Sequence, residues 1–341
     1  MRKKPRAIEL FAGCGGLTTG LKCAGFKVVS AVEIDDLAAS TYKANHPEVQ
    51  LVKSDIRTVG AAELLRGKTG TVDLVAGCPP CQGFSRVRRK NRNQAAPDPR
   101  NDLIAEFTRI VELLEPRAVF MENVPGIEKD RRFKLFLDRL QALGYQVNSQ
   151  PLDLAEYGVP QWRTRVVVLA GKGFHIPMPS LCRKQRTVRG AIGSLPSPSR
   201  CRNRLHRQIT LYSRETLERI RAVPKNGGSR HSWSEEMRLT CHTECDGFKD
   251  VYGRMWWDEP APTITGGCIN ASKGRFLHPA QNRAITLLEA ALLQTFGRRY
   301  YFDQHRGRYA VAEMIGNALP PRFAERVARC IARALEKNEH G

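Results

Sequence analysis

The sequence predicts an α/β fold, a Rossmann-like, doubly wound and mostly parallel sheet with a second, smaller, loop-rich domain. Three observations carry this. The chain opens with a strand, a glycine turn and a helix: Ala7–Phe11, Gly13-Cys14-Gly15-Gly16 and Leu17–Cys23. Apolar, β-branched runs then alternate with helical patterns through the first half. After Gly171 the periodicity fades, and proline, serine and basic residues take over.

Each element follows from its residues. Val28–Val32 is a second strand and ends in Glu33-Ile34. An acid at that strand end commonly takes ribose hydroxyls. Leu51–Val52 leads to Asp55-Ile56, again an acid near a strand end. Val72–Ala76 reads as a fourth strand and Ala118–Met121 as a fifth, the latter running into Glu122-Asn123-Val124-Pro125. Leu103–Leu114 and Arg132–Leu143 carry helical periodicity, and Gln146–Leu152 and Val166–Ala170 read as two more strands. Between these last two, an extended segment would point Gln161, Arg163 and Arg165 the same way. The expected division is 1–171, a loop-rich part at 172–280, and C-terminal helices over 281–341, including Ile285–Phe296 and Phe323–Leu335.

Gly77–Ser85 follows the fourth strand and reads Gly-Cys-Pro-Pro-Cys-Gln-Gly-Phe-Ser. Ligands of open α/β sheets bind beyond the carboxyl ends of strands. Pro79 and Pro80 stiffen that loop, so Cys81 is a candidate nucleophile there. Cys78-x-x-Cys81 also has redox or half-zinc spacing. The weaker cluster Cys241, His242 and Cys245, with Cys268 farther on, lacks a clean paired spacing. The expected metal content is none.

Composition narrows the partners. The 341 residues are 41% hydrophobic and 26% charged, as in globular proteins, and no apolar run is long enough to span a membrane. Met1–Arg6 is basic but leads into a strand and a glycine loop, unlike a signal peptide. Ten cysteines without a secretion signal suit a reducing cytosol. Lys plus Arg number 55 against 34 Asp plus Glu, a net charge of +21. Tyr157–Arg214 holds twelve Lys or Arg and no acid, and Arg86, Arg88, Arg89, Lys90 and Arg92 follow the Cys81 loop. Each cluster alone could be a solvated face, but two of them, one beside a candidate nucleophile, favour a polyanionic substrate.

The ordered series Phe11–Gly16, Glu33, Asp55, Pro80-Cys81-Gln82, Glu122-Asn123-Val124, Gln161-x-Arg163-x-Arg165, Gln294 and Gly316-Asn317 resembles the DNA (cytosine-5)-methyltransferase family, in its compact bacterial form. The resemblance spans nearly the whole chain except about 172–260. It implies a class I methyltransferase sheet over 1–171 that binds S-adenosylmethionine, and a target-recognition domain over 172–280. Phe11, Gly13, Gly16, Glu33, Ile34, Asp55, Ile56, Pro80 and Asn317 would bind the cofactor. Cys81 would attack C6 of a flipped cytosine, Glu122 would serve N3, and Arg165, supported by Arg163, would stabilise O2. The basic loop Ser85–Asn101 would close over the DNA. The implied partners are double-stranded DNA and a separately acting restriction endonuclease, with no membrane. The expected protein is a monomer, cytoplasmic and nucleoid-associated. Two departures stand out: Glu9 replaces the commoner Asp, and Leu288 and Leu292 stand where the family usually has arginines.

Two functional rivals remain. A branch of the family modifies tRNA, but its Cys-Phe-Thr signature is absent from this sequence. A catalytically silent DNA binder is the other, against which Cys81, Glu122, Arg163 and Arg165 all stand intact.

Overall fold

A computed structural model describes residues 4–65, 71–80, 102–239 and 250–338. Cys81, the loop Ser85–Asn101, and Cys241, His242 and Cys245 lie outside the described residues. The chain divides into two compact units. Unit 1 holds Met1–Tyr157, Thr164–Leu181 and Leu319–Gly341; unit 2 holds Gly158–Arg163 and Cys182–Ala318.

Unit 1 is built on a seven-stranded sheet. Its strands are β1 (Arg6–Leu10), β2 (Lys27–Val32), β3 (Gln50–Val52), β4 (Leu74–Gly77), β5 (Ala118–Asn123), β6 (Tyr145–Asp153) and β7 (Thr164–Lys172). The order is β3-β2-β1-β4-β5-β7-β6. β1 to β5 run parallel, and β7 is antiparallel to both its neighbours. The expected Rossmann-like α/β architecture is therefore observed. The order reverses between β1 and β4, which makes the carboxyl ends of those strands the natural ligand site. Gly77 allows their close approach, because a Cβ there would lie 2.4 Å from the Leu10 carbonyl oxygen.

The helices described in unit 1 are α1 (Gly16–Cys23), α2 (Asp36–Asn45), α3 (Ala61–Leu65), α4 (Leu103–Leu114) and α5 (Arg131–Ala142). The apolar stripes of α4 and α5 meet through Phe107 and Phe136, in an edge-on contact with centroids 5.7 Å apart. Ile8, Leu10, Val75, Val119, Met121 and Val168 continue that core across the sheet. The last helix, Pro321–Lys337, returns to α1. Gly20 lets the two backbones touch, since a Cβ there would sit 2.4 Å from the Ala324 Cβ.

The expected boundary after residue 171 falls later, because strand pairing continues past it. Asn148 donates to the Ile176 carbonyl, and Arg326 to the Ser180 carbonyl, so this segment stays with unit 1. Residues 281–318 cluster with unit 2 rather than with the sheet. Unit 2 contains short helices α6 (Val188–Ile192), α7 (Arg204–Arg207) and α8 (Arg214–Ala222), then α9 (Leu287–Leu293) and α10 (Gly307–Asn317); the helix Pro321–Lys337 of unit 1 becomes α11. The sequence expected α9 to run from Ile285 to Phe296. It is shorter because Thr286 caps its start and Thr295 turns left-handed at φ 65°.

Two buried polar centres organise unit 2. Arg254 has no exposed surface, and its guanidinium donates to the carbonyls of Val223, His278, Gln281 and Ile220 and to Asn282 Oδ1. Gln161 and Gln294 are also fully buried, with Gln161 Nε2 donating to Gln294 Oε1 at 2.5 Å. Gln161 Oε1 accepts from the Ile264 amide, and Gln294 Nε2 donates to the Ile315 carbonyl. Residues 133 apart in sequence thus tie the Gly158–Arg163 segment to the ends of α9 and α10.

Candidate active site

The carboxyl end of β1 carries the first part of the site. Phe11 leaves the strand at φ 56°, and Gly13 and Gly15 follow at φ 54° and 87°. Such left-handed turns suit glycine; at Phe11 the cost persists only where the surroundings fix it. Phe11 is half-buried and packs on the sheet core. The turn brings the Gly13 amide to Glu33 Oε2 at 2.7 Å. Glu33 Oε1 accepts from the Ile34 and Asp35 amides at 2.9 and 2.8 Å. Burial raises the Glu33 pKa, and these three amides work against that rise. The carboxylate is thereby fixed in orientation beside the glycine turn. Ile34, 62% exposed, offers an apolar surface next to it.

Asp55 caps a single helical turn at Ile56–Thr58. Its Oδ1 accepts from the Arg57 amide and its Oδ2 from the Arg57 guanidinium, which together hold its pKa below the usual carboxylate range. The Ile56 side chain is buried in the core, so only its backbone can face a ligand. A fixed carboxylate beside a glycine turn, an exposed apolar side chain and a second acid suit the ribose, the adenine and the amine of a nucleoside.

Glu9 lies beneath this turn. It is 1% exposed, accepts from the Thr18 hydroxyl, and that hydroxyl sits 2.8 Å from the Tyr42 hydroxyl. Burial pushes its pKa up to about 8, with Thr18 opposing and the Glu33 charge adding to the rise. A carboxyl raised on folding stabilises the protein fully below its unfolded pKa, and that contribution is lost as pH rises through the folded value. The window here runs from about 4.5 to about 8. Glu9→Gln is therefore expected to flatten the fall in urea stability between pH 5 and 9, by at most about 5 kcal/mol. Parallel pH profiles for the two proteins would contradict this.

The carboxyl ends of β4 and β5 carry the second part. These strands pair in parallel, with Gly77 opposite Met121, so Cys78, just past β4, lies beside Glu122, which still pairs with Val167 of β7. Glu122 is 6% exposed, and its Oε1 lies 2.8 Å from Arg165 Nε on β7, an ion pair that lacks aligned hydrogen-bond geometry. Burial, then the charge of Glu122 and a hydrogen bond to it, hold the half-buried Cys78 thiol well above its ordinary pKa. A thiol raised in this way beside Glu122 is poorly suited to act as a nucleophile. Asn123 Nδ2 donates to the Pro79 carbonyl at 3.1 Å, which fixes the loop through Pro80.

The remaining expected residues lie in unit 2. Arg163 is 3% exposed and its Nη1 donates to the Ile264 carbonyl at 3.1 Å. Gln161 and Arg163 thus both bond the Ile264 backbone, while Arg165 pairs with Glu122. Gly316 packs face-on against Thr265–Gly266, where a Cβ would be 2.5 Å from the Thr265 carbonyl carbon, and Asn317, the last residue of α10, is exposed. Leu288 is buried and Leu292 half-buried, so α9 uses them as packing residues. Its start is held by Arg283, which makes two 2.7 Å bonds to Glu289, and by a capping box between Thr286 and Glu289.

Sequence reasoning missed the Cys78–Glu122 contact and the Asn123 lock on Pro79. Their signal is the parallel pairing of two strands, each followed by polar residues. Among the described residues no three His, Cys, Asp or Glu side chains cluster as metal ligands, and burial pushes the Cys268 thiol up to about 12. No described helix is long and apolar enough to cross a membrane.

Comparison with known proteins agrees with the fold. Residues 6–333 match the family model for C-5 cytosine-specific DNA methylase. The Type II methylase M.HgiDII of Herpetosiphon aurantiacus is 37% identical over 344 residues, covering 96% of this chain and 95% of its own. The Type II methyltransferase M1.HphI of Haemophilus parahaemolyticus is 35% identical over 340 residues, covering 97% and 87%. Among solved structures, a candidate DNA modification methyltransferase encoded within an E. coli prophage covers 98% of this chain and 100% of its own, with a TM-score of 0.75 at 24% identity. A Spodoptera frugiperda DNMT2 variant covers 96% and 99%, with a TM-score of 0.68 at 17% identity. These two likenesses bear on the fold alone. The family match over almost the full chain, with the motif order and the sheet that carries it, shows that the chain belongs to the C-5 cytosine-specific DNA methylase family and is a DNA (cytosine-5)-methyltransferase.

Proposed function

We propose that the protein methylates C5 of cytosine within a specific sequence of duplex DNA, by flipping the base and attacking C6 with Cys81. The observation that carries this reading is the buried Glu122–Arg165 pair at the end of β5, beside the loop that leads to Cys81. C5 of cytosine is too weak a nucleophile to take a methyl group unaided. Adding a thiolate to C6 pushes electron density to C5. Glu122, in its protonated form, donates to N3 as negative charge develops on the ring. Arg165, with Arg163 in support, stabilises the growing charge on O2. Once C5 is methylated, its proton passes to a base and Cys81 leaves by elimination. The target cannot be reached inside a duplex, so it is extruded at a cost of a few kcal/mol.

S-adenosylmethionine supplies the electrophilic methyl group when bound. The Glu33 carboxylate, oriented by three amides, suits its ribose. Phe11 and Ile34 suit the adenine faces, Asp55 the adenine amine with the Ile56 backbone beside it, and Gly13, Gly16 and Pro80 close approach to the methionine part. Asn317 takes its cofactor role from the family resemblance. The relatives' Type II names support a partner restriction endonuclease acting separately on the same site. We read the protein as a monomer working in the cytoplasm on the nucleoid, without a metal.

The test is transfer of labelled methyl from S-adenosylmethionine to duplex DNA or to tRNA, with Cys81→Ser alongside. Label in DNA that is lost in the variant is expected. Label in tRNA but not DNA would overturn the reading, and label in neither would favour a silent binder. Bisulfite sequencing of DNA from expressing cells then gives the target sequence.

A further inference from the structure

Two arginine-bearing segments, far apart in sequence, meet in unit 2. One is the start of α7, with Arg204. The other is the turn after α9, with Arg298 and Arg299. Asn203 joins them: its Oδ1 accepts from the Leu205 amide at 2.9 Å, and its Nδ2 donates to the Arg298 carbonyl at 3.3 Å. Between them lies a groove of about 560 Å³, also lined by Tyr301, Asp303 and His305. The turn is anchored from beneath by Phe296, Tyr300 and Phe302, whose ring centroids are 4.7 to 5.3 Å apart. The arginines therefore project from a fixed backbone.

The charges of this groove do not balance internally. Asp303 is the one carboxylate in its lining, and it is engaged by His305, with Nδ1 at 3.1 Å and the amide at 3.0 Å. Arg298 donates to the neutral Ser194 hydroxyl at 2.8 Å. Among the described residues, neither Arg204 nor Arg299 pairs with a carboxylate, and both are exposed. Arg202, just before α7, and Arg207, at its end, are exposed as well. Gathering like charges from distant segments is unfavourable unless an anion neutralises them. Tyr301, 52% exposed, also lines the groove. Planar guanidinium groups facing an open groove suit phosphate oxygens, which they can grip with two parallel bonds.

We infer that this groove holds the phosphodiester backbone of duplex DNA away from the target base. The inference rests on the proposed function in one respect, that the polyanion is the DNA substrate. Contacts of this kind set the register of the duplex and carry no sequence information. Arg204 and Arg299 would then contribute affinity and salt dependence, but neither base choice nor chemistry.

The experiment is a salt titration of binding to a duplex carrying the target site, for wild type and Arg204→Ala/Arg299→Ala. The slope of log affinity against log salt should become shallower by about 0.9 for each phosphate that is no longer neutralised, up to about 1.8 for the pair. The bisulfite-read target sequence and the single-turnover rate at saturating DNA should not change. Arg204→Lys/Arg299→Lys keeps both charges and should restore the slope, which separates charge removal from misfolding. An unchanged slope in the alanine variant would overturn the inference. So would weakened tRNA binding with DNA binding intact, which would assign the groove to RNA. Failure of the underlying reading looks different: wild type itself would place no methyl group in DNA.

Discussion

Glu122→Gln is expected to lower the single-turnover methylation rate by about 10²- to 10⁴-fold, the range that a positioned proton donor supplies. The amide keeps the shape of the carboxyl and can still meet the Cys78 thiol, but it cannot deliver a proton to N3. It also removes the charge facing Arg165 at 2.8 Å. Arg165 keeps only 14% of its side-chain surface exposed, so the substitution strands a cation in a poorly solvated place. Some stability should therefore go with the activity. Measuring rate and urea stability together separates the effects, because the rate is read well below the unfolding transition. A variant within threefold of wild type would remove Glu122 from the proton-transfer role.

Arg254→Met is expected to destabilise unit 2 by about 4 kcal/mol or more, since each buried acceptor left without a donor costs about 1–3 kcal/mol. All five N–H groups of the side chain are used, over distances of 2.6 to 3.0 Å, and four acceptors are backbone carbonyls. Burial pulls the pKa of this arginine down to about 10, so it stays charged at neutral pH. Methionine fills much of the volume but satisfies none of those oxygens. Arg254→Lys should recover little, because an ammonium has three donors and no planar fork. Chemical denaturation followed by tryptophan fluorescence reads the effect through Trp233, which packs in the same unit. A destabilisation under about 1 kcal/mol would mean that water replaces the guanidinium, contrary to this account.

The contrast between these residues explains what the sequence could say. Glu122 is legible because it closes a strand that is otherwise apolar, and Glu33 for the same reason. Strand periodicity and the glycine turn after β1 mark the sheet and the end of it that binds ligands. Arg254 has no such mark. Its partners are mostly backbone carbonyls in irregular loops, and a carbonyl leaves no trace in residue type. The Gln161–Gln294 bond joins residues 133 apart, beyond the reach of any local pattern. Leu288 and Leu292 read as missing arginines, yet helix capping by Thr286 and Glu289 and the Arg283 pair fix α9 without them. The boundary at 171 is legible only as a change of composition. Hydrogen bonds from Asn148 and Arg326 carry unit 1 ten residues further, to Leu181.

Cys78 shows the same limit at closer range. Spacing alone pairs it with Cys81. Burial, and then its neighbour across the sheet, Glu122, instead raise the pKa of the thiol. The parallel register of β4 and β5 decides this, and register depends on pairing between strands more than forty residues apart.

In the proposed reaction Cys81 forms a covalent bond to C6 of the target cytosine. The most direct measurement uses a duplex with 5-fluorocytosine at the target site, where the fluorine cannot leave as a proton does and elimination is blocked. With S-adenosylmethionine present, wild type should give a DNA–protein complex that survives denaturing electrophoresis, with a mass equal to protein, DNA and one methyl group. Cys81→Ser should give none. A wild type that methylates the ordinary site yet traps no complex, or a serine variant that traps one equally well, would contradict the account.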